Sequence, residues 1–338
     1  MAGSALDPKD TDAANILDDA TPDEDALSPV ERYKRARDAR KVAPPQRLAD
    51  EPSMTIDTLW RGLTREGEMR VLVVRATQAV REATAALGTG PWGTKLVAEL
   101  MTGAQLLRAC LNPDEQLQIS AVNSGSAGNF VVDAYVEGHM RATLRNPGAS
   151  LDDGFLVGNG TVQIARTRRG KPTYRSAIAL EHDEIDQLFM RYLLESEQIL
   201  SLLHLDIDVT ESGHLRHAVG FLVQAMPEGS RDDLSRLVTN LESLGSLGDE
   251  MNDADPDAMG WANALMDGFY WDQVARQTVS FRCPCSPERV LALLSTLPQA
   301  DLAELAEGGE ALETTCDYCK TTYAVPLEQL NSLLAQPS

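Results

Sequence analysis

From 54 to 229 the apolar positions recur at two spacings, and each spacing says which element its stretch forms. Met69–Val74 is a short apolar run that reads as a strand. Thr77 stands in the capping position ahead of an amphipathic helix that Gly88 ends. Leu96, Leu100, Gly103 and Leu107 fall on one stripe of a second helix. Period-two alternation then takes over at Leu117, Ile119 and Ala121 and again at Phe130, Val132, Ala134 and Val136, with a turn at Glu137-Gly138; this predicts half-buried antiparallel strands. Strands are also predicted at Val162–Ile164 and Tyr174–Leu180, joined through a turn at Gly170-Lys171-Pro172. Ile185, Leu188, Phe189, Tyr192 and Leu193 return to helical spacing. Leu203, Leu205, Ile207 and Val209 alternate, as do Val219, Phe221 and Val223 beyond a Ser212-Gly213 turn. Strands interleaved with a few helices, without strict strand-helix alternation, predict an α+β core on a mainly antiparallel sheet.

The pattern changes twice more. From Ser230 to Ser280 ten acids face three arginines, around a helical stripe of Leu234, Leu237, Val238 and Leu241, the glycines Gly245 and Gly248, and a dense set of large apolar residues that includes Met251, Met259, Trp261, Leu265, Met266, Phe269, Tyr270 and Trp271. The segment 230–279 reads as a metastable linker, helical while its apolar side is docked on a neighbour. From 280 to 338, Ser286 caps and Pro287 opens a helix carrying Val290, Leu293, Leu294 and Leu297, which Pro298 ends; Leu302 lies on a second short helix, and Thr321–Val325 reads as a strand. This small C-terminal unit has too few large side chains to build an adequate core alone.

Ahead of all this, residues 1–53 read as a disordered charged tail. Asp7 to Asp25 holds eight acids against Lys9, and a basic run from Arg32 to Arg47 contains Pro44-Pro45; Met54 is a candidate alternative start.

Composition narrows the function classes. The net charge of −21, with pI near 4.6, argues against a nucleic-acid partner, which needs clustered Lys and Arg. No stretch approaches the roughly 18 apolar residues of a membrane span, and a signal peptide's basic start and apolar run are missing, so the expectation is a cytoplasmic protein that does not engage membranes. Cytoplasmic thiols stay reduced, which gives paired cysteines a metal or redox role ahead of a structural disulfide.

Four of the five cysteines are paired: Cys283 and Cys285 form C-x-C, and after thirty intervening residues Cys316 and Cys319 form C-x-x-C. Two close pairs on a long loop can converge on one tetrahedral Zn²⁺, which favours four soft thiolates in a closed structural site. The other readings of the same residues are two local disulfides, a redox-active dithiol, or four buried structural thiols. The fifth, Cys110, sits among Leu106, Leu107 and Leu111 as a small core residue.

Other constellations are weaker. His139, His182, His204, His214 and His217 are not at ligand spacing with the cysteines. Gly158-Asn159-Gly160 lacks the helix start and Lys of a phosphate loop, and Ser124 and Ser126 lack the frame of a nucleophile turn, so both stretches read as turns between strands. Asp206 and Asp208 alternate with Leu205 and Ile207, which places both carboxylates on a strand's solvent face. No catalytic constellation for a turnover enzyme emerges.

From about Thr55 to the end the chain resembles the redox-regulated 33 kDa heat-shock protein family of ATP-independent holdase chaperones. The resemblance is carried by the C-x-C and C-x-x-C set with Phe281-Arg282-Cys283-Pro284-Cys285-Ser286, Glu288-Arg289 and Cys316-Asp317-Tyr318-Cys319. Phe155-Leu156-Val157-Gly158-Asn159-Gly160, Met190-Arg191-Tyr192, Ser196-Glu197-Gln198 and Gln224-Ala225-Met226-Pro227 add to it. It implies one zinc bound by Cys283, Cys285, Cys316 and Cys319 in a quiet reduced state, and oxidation to Cys283–Cys285 and Cys316–Cys319 disulfides with metal release. It also implies unfolding of the linker, exposure of a surface for unfolded clients, and a homodimer when oxidised. Pro287 and Lys320 depart from residues commonly Arg and Gly in the family. The competing functions are a thiol-disulfide oxidoreductase built on C-x-x-C and a zinc-ribbon interaction module.

Overall fold

The computed structural model describes residues 56–65, 68–151, 154–180, 184–226, 231–244 and 258–335. The expectations for the tail 1–53, Met54, His182, Pro227, Gly245, Gly248, Met251 and the side chain of Leu234 lie outside them.

The core is α+β, with two antiparallel sheets packed against one central helix. The first sheet has five strands in the order β10-β1-β2-β9-β8. These are β1 (Thr58–Thr64), β2 (Met69–Arg75), β8 (Ser201–Val209), β9 (Leu215–Ala225) and β10 (Trp271–Thr278). The second sheet has the order β11-β5-β4-β3-β6-β7. Its strands are β3 (Glu115–Asn123), β4 (Phe130–Ala134), β5 (His139–Leu144), β6 (Gly160–Arg168), β7 (Lys171–Leu180) and the short β11 (Ser280–Phe281), which runs parallel to β5. The helices α1 (Thr77–Leu87), α2 (Pro91–Ala109) and α3 (Ile185–Glu195) complete the core. Helix α2 is buried nearly all round, from Gly93 through Ala109, because it contacts strands of both sheets. Gly103 lets α3 approach it: a Cβ there would lie 2.2 Å from Phe189 Cε2.

Local chemistry differs from expectation at several points. Thr77 does not cap α1; its Oγ1 accepts from Ala218 N–H (3.1 Å) instead. The orphan donor at Ala79 is satisfied by Asp57 Oδ2 at 2.6 Å, and Asp57 Oδ1 holds Arg75 Nη1 at 2.8 Å, both side chains being buried. The β6–β7 turn sits at Arg169 and Gly170, both at positive φ, so Lys171 and Pro172 belong to β7. A proline is tolerated there because β7 is an edge strand. Asp206 is not on a solvent face: it is 7% exposed and bonded to His217 Nε2 at 2.7 Å, while Asp208 pairs with Arg216 at 3.2 Å.

The segment after Met226 covers the first sheet. Helices α4 (Arg231–Leu244) and α5 (Ala258–Leu265) lay Leu237, Ala258, Trp261, Ala262, Leu265 and Met266 against the outer face formed by Met69, Val71, Val73, Val219, Phe221 and Val223. Strand β9 is therefore buried on both faces from His217 to Gln224, where alternation predicted one. Asn240 ties the two helices by donating to Leu265 O and Asp267 O. The chain then runs as β10 along β1, with Thr58 opposite Thr278 and Thr64 opposite Trp271. Gly62 makes room for this strand, since a Cβ there would lie 2.4 Å from the Trp271 ring. The described parts of this segment, 231–244 and 258–279, thus rest on the core sheet, and its end is a strand that helical periodicity did not predict.

The C-terminal residues form α6 (Pro287–Leu294), α7 (Gln299–Glu307), a two-stranded sheet of β12 (Leu312–Thr315) and β13 (Thr322–Val325), and α8 (Leu327–Leu334). Only Leu302, Val325 and Leu330 are fully buried there among the described apolar residues, in keeping with the expected shortage of core.

Candidate metal centre

Two pieces of local structure present the four thiols. β11 pairs with β5 through Ser280 opposite His139 and Phe281 opposite Met140, and Arg282 N–H still bonds Met140 O at 3.2 Å, so Cys283 leaves the sheet at a fixed point. Pro284 favours extended backbone at Cys283. Ser286 then caps α6, its Oγ accepting from Arg289 N–H at 3.3 Å with Pro287 at the first helical position, as the sequence predicted. The second pair lies in the tip of the β12–β13 hairpin, closed by Cys316 N–H to Thr321 O (2.9 Å) and Lys320 N–H to Cys316 O (2.9 Å). Lys320 takes φ 54°, a left-handed conformation that glycine adopts without penalty.

The tertiary fold brings the pairs together. Cys283 Sγ lies 3.6 Å from Cys316 Sγ and Cys285 Sγ lies 3.3 Å from Cys319 Sγ, and all four sulfurs lie within 4.8 Å of one another. Thiolates about 2.3 Å from a tetrahedral ion stand roughly 3.8 Å apart, so the donor set and its size fit a closed zinc site. All four cysteines are half-buried, open enough for a small oxidant. His139 is held by Ser280 Oγ at 2.8 Å and His204 stacks on Trp261, so neither joins the cluster.

The electrostatics are those of crowded thiols. Burial pushes the Cys283, Cys285 and Cys316 thiols up, opposed at Cys283 by Arg141 and at Cys285 by Tyr323. Burial acts on Cys319 too, but hydrogen bonds from the Thr321 side chain and backbone and from neighbouring thiols outweigh it and bring this group down to about 6. Cys110 lies apart beside the core, its thiol pushed up to about 11 by burial and bonded to Leu106 O, an inert environment.

Sequence reasoning missed the residues that hold the cluster, two of them from the core strand β5 and one from β13. Arg141 of β5 donates from Nη1 to Cys283 Sγ (3.4 Å), Tyr323 OH donates to Cys285 Sγ (3.0 Å), and Thr143 Oγ1 donates to Asp317 O (3.1 Å). Arg141 and Thr143 show only as polar positions of an alternating strand, and nothing in their spacing points to a sulfur 142 residues away. Ser124 and Ser126 lie between β3 and β4 as turn residues, where Ser124 N–H bonds Asn159 O at 3.0 Å.

Comparison with known proteins gives a consistent set. The family model described as Hsp33 protein matches residues 57–326. The chain is 31% identical over 296 residues to the 33 kDa chaperonin of Thermus thermophilus, covering 82% of this chain and 86% of that one. It is 30% identical over 289 residues to the 33 kDa chaperonin of Geobacter sulfurreducens, covering 83% and 96%. The crystal structure of the 33 kDa chaperonin from Thermotoga maritima superposes with a TM-score of 0.70 at 22% identity, over 82% of this chain and 97% of that one, which is a likeness of fold.

Proposed function

Because the chain belongs to the Hsp33 chaperone family, we propose that it is a redox-switched, ATP-independent holdase that is quiet while reduced and binds unfolded proteins after oxidation. In this reading 54–229 is the client-binding core, 230–279 the metastable linker and 280–338 the switch, working in the cytoplasm and without enzymatic turnover. Cys283, Cys285, Cys316 and Cys319 hold one Zn²⁺, which when bound supplies on the order of 10 to 16 kcal/mol of folding energy to a unit with little core of its own.

The chain's thiols carry the chemistry. A thiolate sulfur attacks a peroxide oxygen, the O–O bond breaks, and a sulfenic acid and hydroxide form, the hydroxide taking a proton from solvent to become water. The neighbouring thiol sulfur then attacks the sulfenic sulfur, the S–O bond breaks, a second water leaves and the disulfide closes. Each pair thus gives two electrons to one peroxide, whose oxygens leave as two waters with one proton from the neighbouring thiol and one from solvent. The pairs are Cys283 with Cys285 and Cys316 with Cys319, after which no thiolate remains to hold an ion.

The observation that carries this reading is that the four-sulfur cluster and the cover of the first sheet share one run of chain. β10 leads through Val279 and β11 directly to Cys283, and β10 and α5 belong to the segment over Val71, Val73, Val219, Phe221 and Val223. Loss of the C-terminal fold frees β11 from β5, then β10 from β1, and the helices that follow expose an apolar sheet face to clients. In this reading the coupling runs through the two strands β10 and β11. The oxidised form is proposed to dimerise through newly exposed surface. The test is light scattering of an unfolding client with reduced and with peroxide-treated protein, together with zinc content. Equal protection by both forms, or a Cys283/Cys285/Cys316/Cys319→Ser variant as quiet as the reduced parent, overturns the proposal.

A further inference from the structure

Arg141 stands between the core and the thiol cluster, its guanidinium bonded to both and stacked on an aromatic ring. Nε donates to Asp133 Oδ2 at 2.8 Å, Nη1 donates to Cys283 Sγ at 3.4 Å, and the guanidinium carbon lies 3.7 Å from the centroid of the Tyr318 ring. Tyr318 is inside the Cys316–Cys319 loop, so one side chain touches both arms of the cluster. Its anchor is built in: Asp133 stands opposite Arg141 in the β4–β5 register and Gln118 stands opposite Asp133 in β3–β4, with Gln118 Nε2 donating to Asp133 Oδ1 at 2.8 Å. Arg141 and Asp133 are 17% and 7% exposed, which shields the pair from solvent. Two residues on, along the same face of β5, Thr143 holds the loop backbone at Asp317.

We propose that Arg141 is the positioning residue that sets how much oxidant the switch requires, by holding Cys283 Sγ as a bonded thiolate and Tyr318 against β5 at once. This rests on the reading above, in which the thiols hold metal and are the target of peroxide. A hydrogen bond from a cation stabilises a thiolate and withdraws the electron density that attacks peroxide. A disulfide sulfur is a weak acceptor without charge, so oxidation removes the bond to Cys283. Movement of the C-x-x-C loop then takes Tyr318 from the guanidinium and leaves Arg141 with Asp133 and the more distant Tyr135 ring. The planar fork matters: lysine keeps the charge but cannot serve Asp133, Cys283 and an aromatic face together.

The test uses the full-length, zinc-loaded, reduced chain and follows zinc release with a chromogenic indicator as peroxide is raised under non-denaturing conditions. Arg141→Gln is expected to release zinc at about one-tenth of the parent's peroxide concentration, the ratio expected for loss of one charge-assisted hydrogen bond. Arg141→Lys is expected between the two, and Tyr318→Leu on the sensitive side. Arg166→Gln is the control for a merely structural effect. Arg166 is half-buried in β6 of the same sheet, bonded to Tyr192 and Glu197 and three strands from β5, so losing it lowers core stability without touching the cluster. Release at the parent's concentration by Arg141→Gln, Arg141→Lys and Tyr318→Leu, or equal sensitisation by Arg166→Gln, overturns the inference alone. A parent that binds no zinc, or keeps it in excess peroxide, overturns the reading of the preceding section and this inference with it.

Discussion

Trp261→Ala is expected to make the reduced, zinc-loaded protein active. Trp261 is 7% exposed, its ring lies 3.9 Å from that of Phe221 and 5.7 Å from that of His204, and it is the largest side chain that α5 sets on the first sheet. Truncating a buried aromatic to Ala costs about 3 to 5 kcal/mol. If that loss falls on docking of the cover, the open population rises between about a hundredfold and a few thousandfold, since each 1.4 kcal/mol is a factor of about ten. The exposed face would be Met69, Val71, Val73, Val219, Phe221 and Val223, apolar enough to bind a hydrophobic dye and an unfolded client. The assay is dye fluorescence and client light scattering under reducing conditions, with zinc measured on the same samples. Trp261→Phe is the matched control. It keeps an aromatic on Phe221 and removes an indole N–H that is buried without a hydrogen-bond partner, so it should stay as quiet as the parent. A reduced Trp261→Ala protein that retains zinc and neither binds dye nor protects clients refutes the claim that this sheet face is the one the cover hides.

Three further outcomes are expected. Asp57→Ala breaks the buried pair with Arg75 and strips the Ala79 donor of its acceptor, at a cost of about 3 to 5 kcal/mol read by urea unfolding; a loss under 1 kcal/mol contradicts the assigned role. Burial pushes the Glu99 carboxyl up to about 7, against the pull of Lys95 at 3.8 Å, so its contribution to stability is fully present below the ordinary 4.5 and is lost as pH rises through 7. Glu99→Gln should therefore unfold at a higher temperature than the parent at pH 8 and lose that advantage at pH 5; a gap that does not depend on pH refutes this. Lys320→Gly removes a left-handed non-glycine residue beside Cys319 and should stabilise the metal-bound hairpin by up to about 1 kcal/mol, seen as a severalfold rise in the chelator concentration needed to strip zinc; a fall refutes it.

Much of the fold was legible from the chain alone because periodicity reports burial one element at a time. The stripe of Ile185, Leu188, Phe189, Tyr192 and Leu193 is buried as read, and Ser286 with Pro287 starts a helix where capping chemistry says it must. The four cysteines were legible as a candidate set for the same reason: two close pairs of one rare side chain state their chemistry before their geometry is known.

What only the tertiary structure decided is what each patterned piece leans on. Alternation cannot tell a strand with one wet face from one covered later in the chain, so β9 read as half-buried although α4 and α5 cover its outer face while α2 packs on the inner one. Nor can it see that Asp206 turns inward to His217, or that Asp57 rather than Thr77 satisfies α1, because both depend on partners brought close by folding. Arg141 is the sharpest case: a polar residue in a strand acquires a sulfur, a carboxylate and an aromatic ring only when three distant stretches meet on β5. Local sequence sets what a residue can bond to; the long-range pairing of strands sets what is within reach.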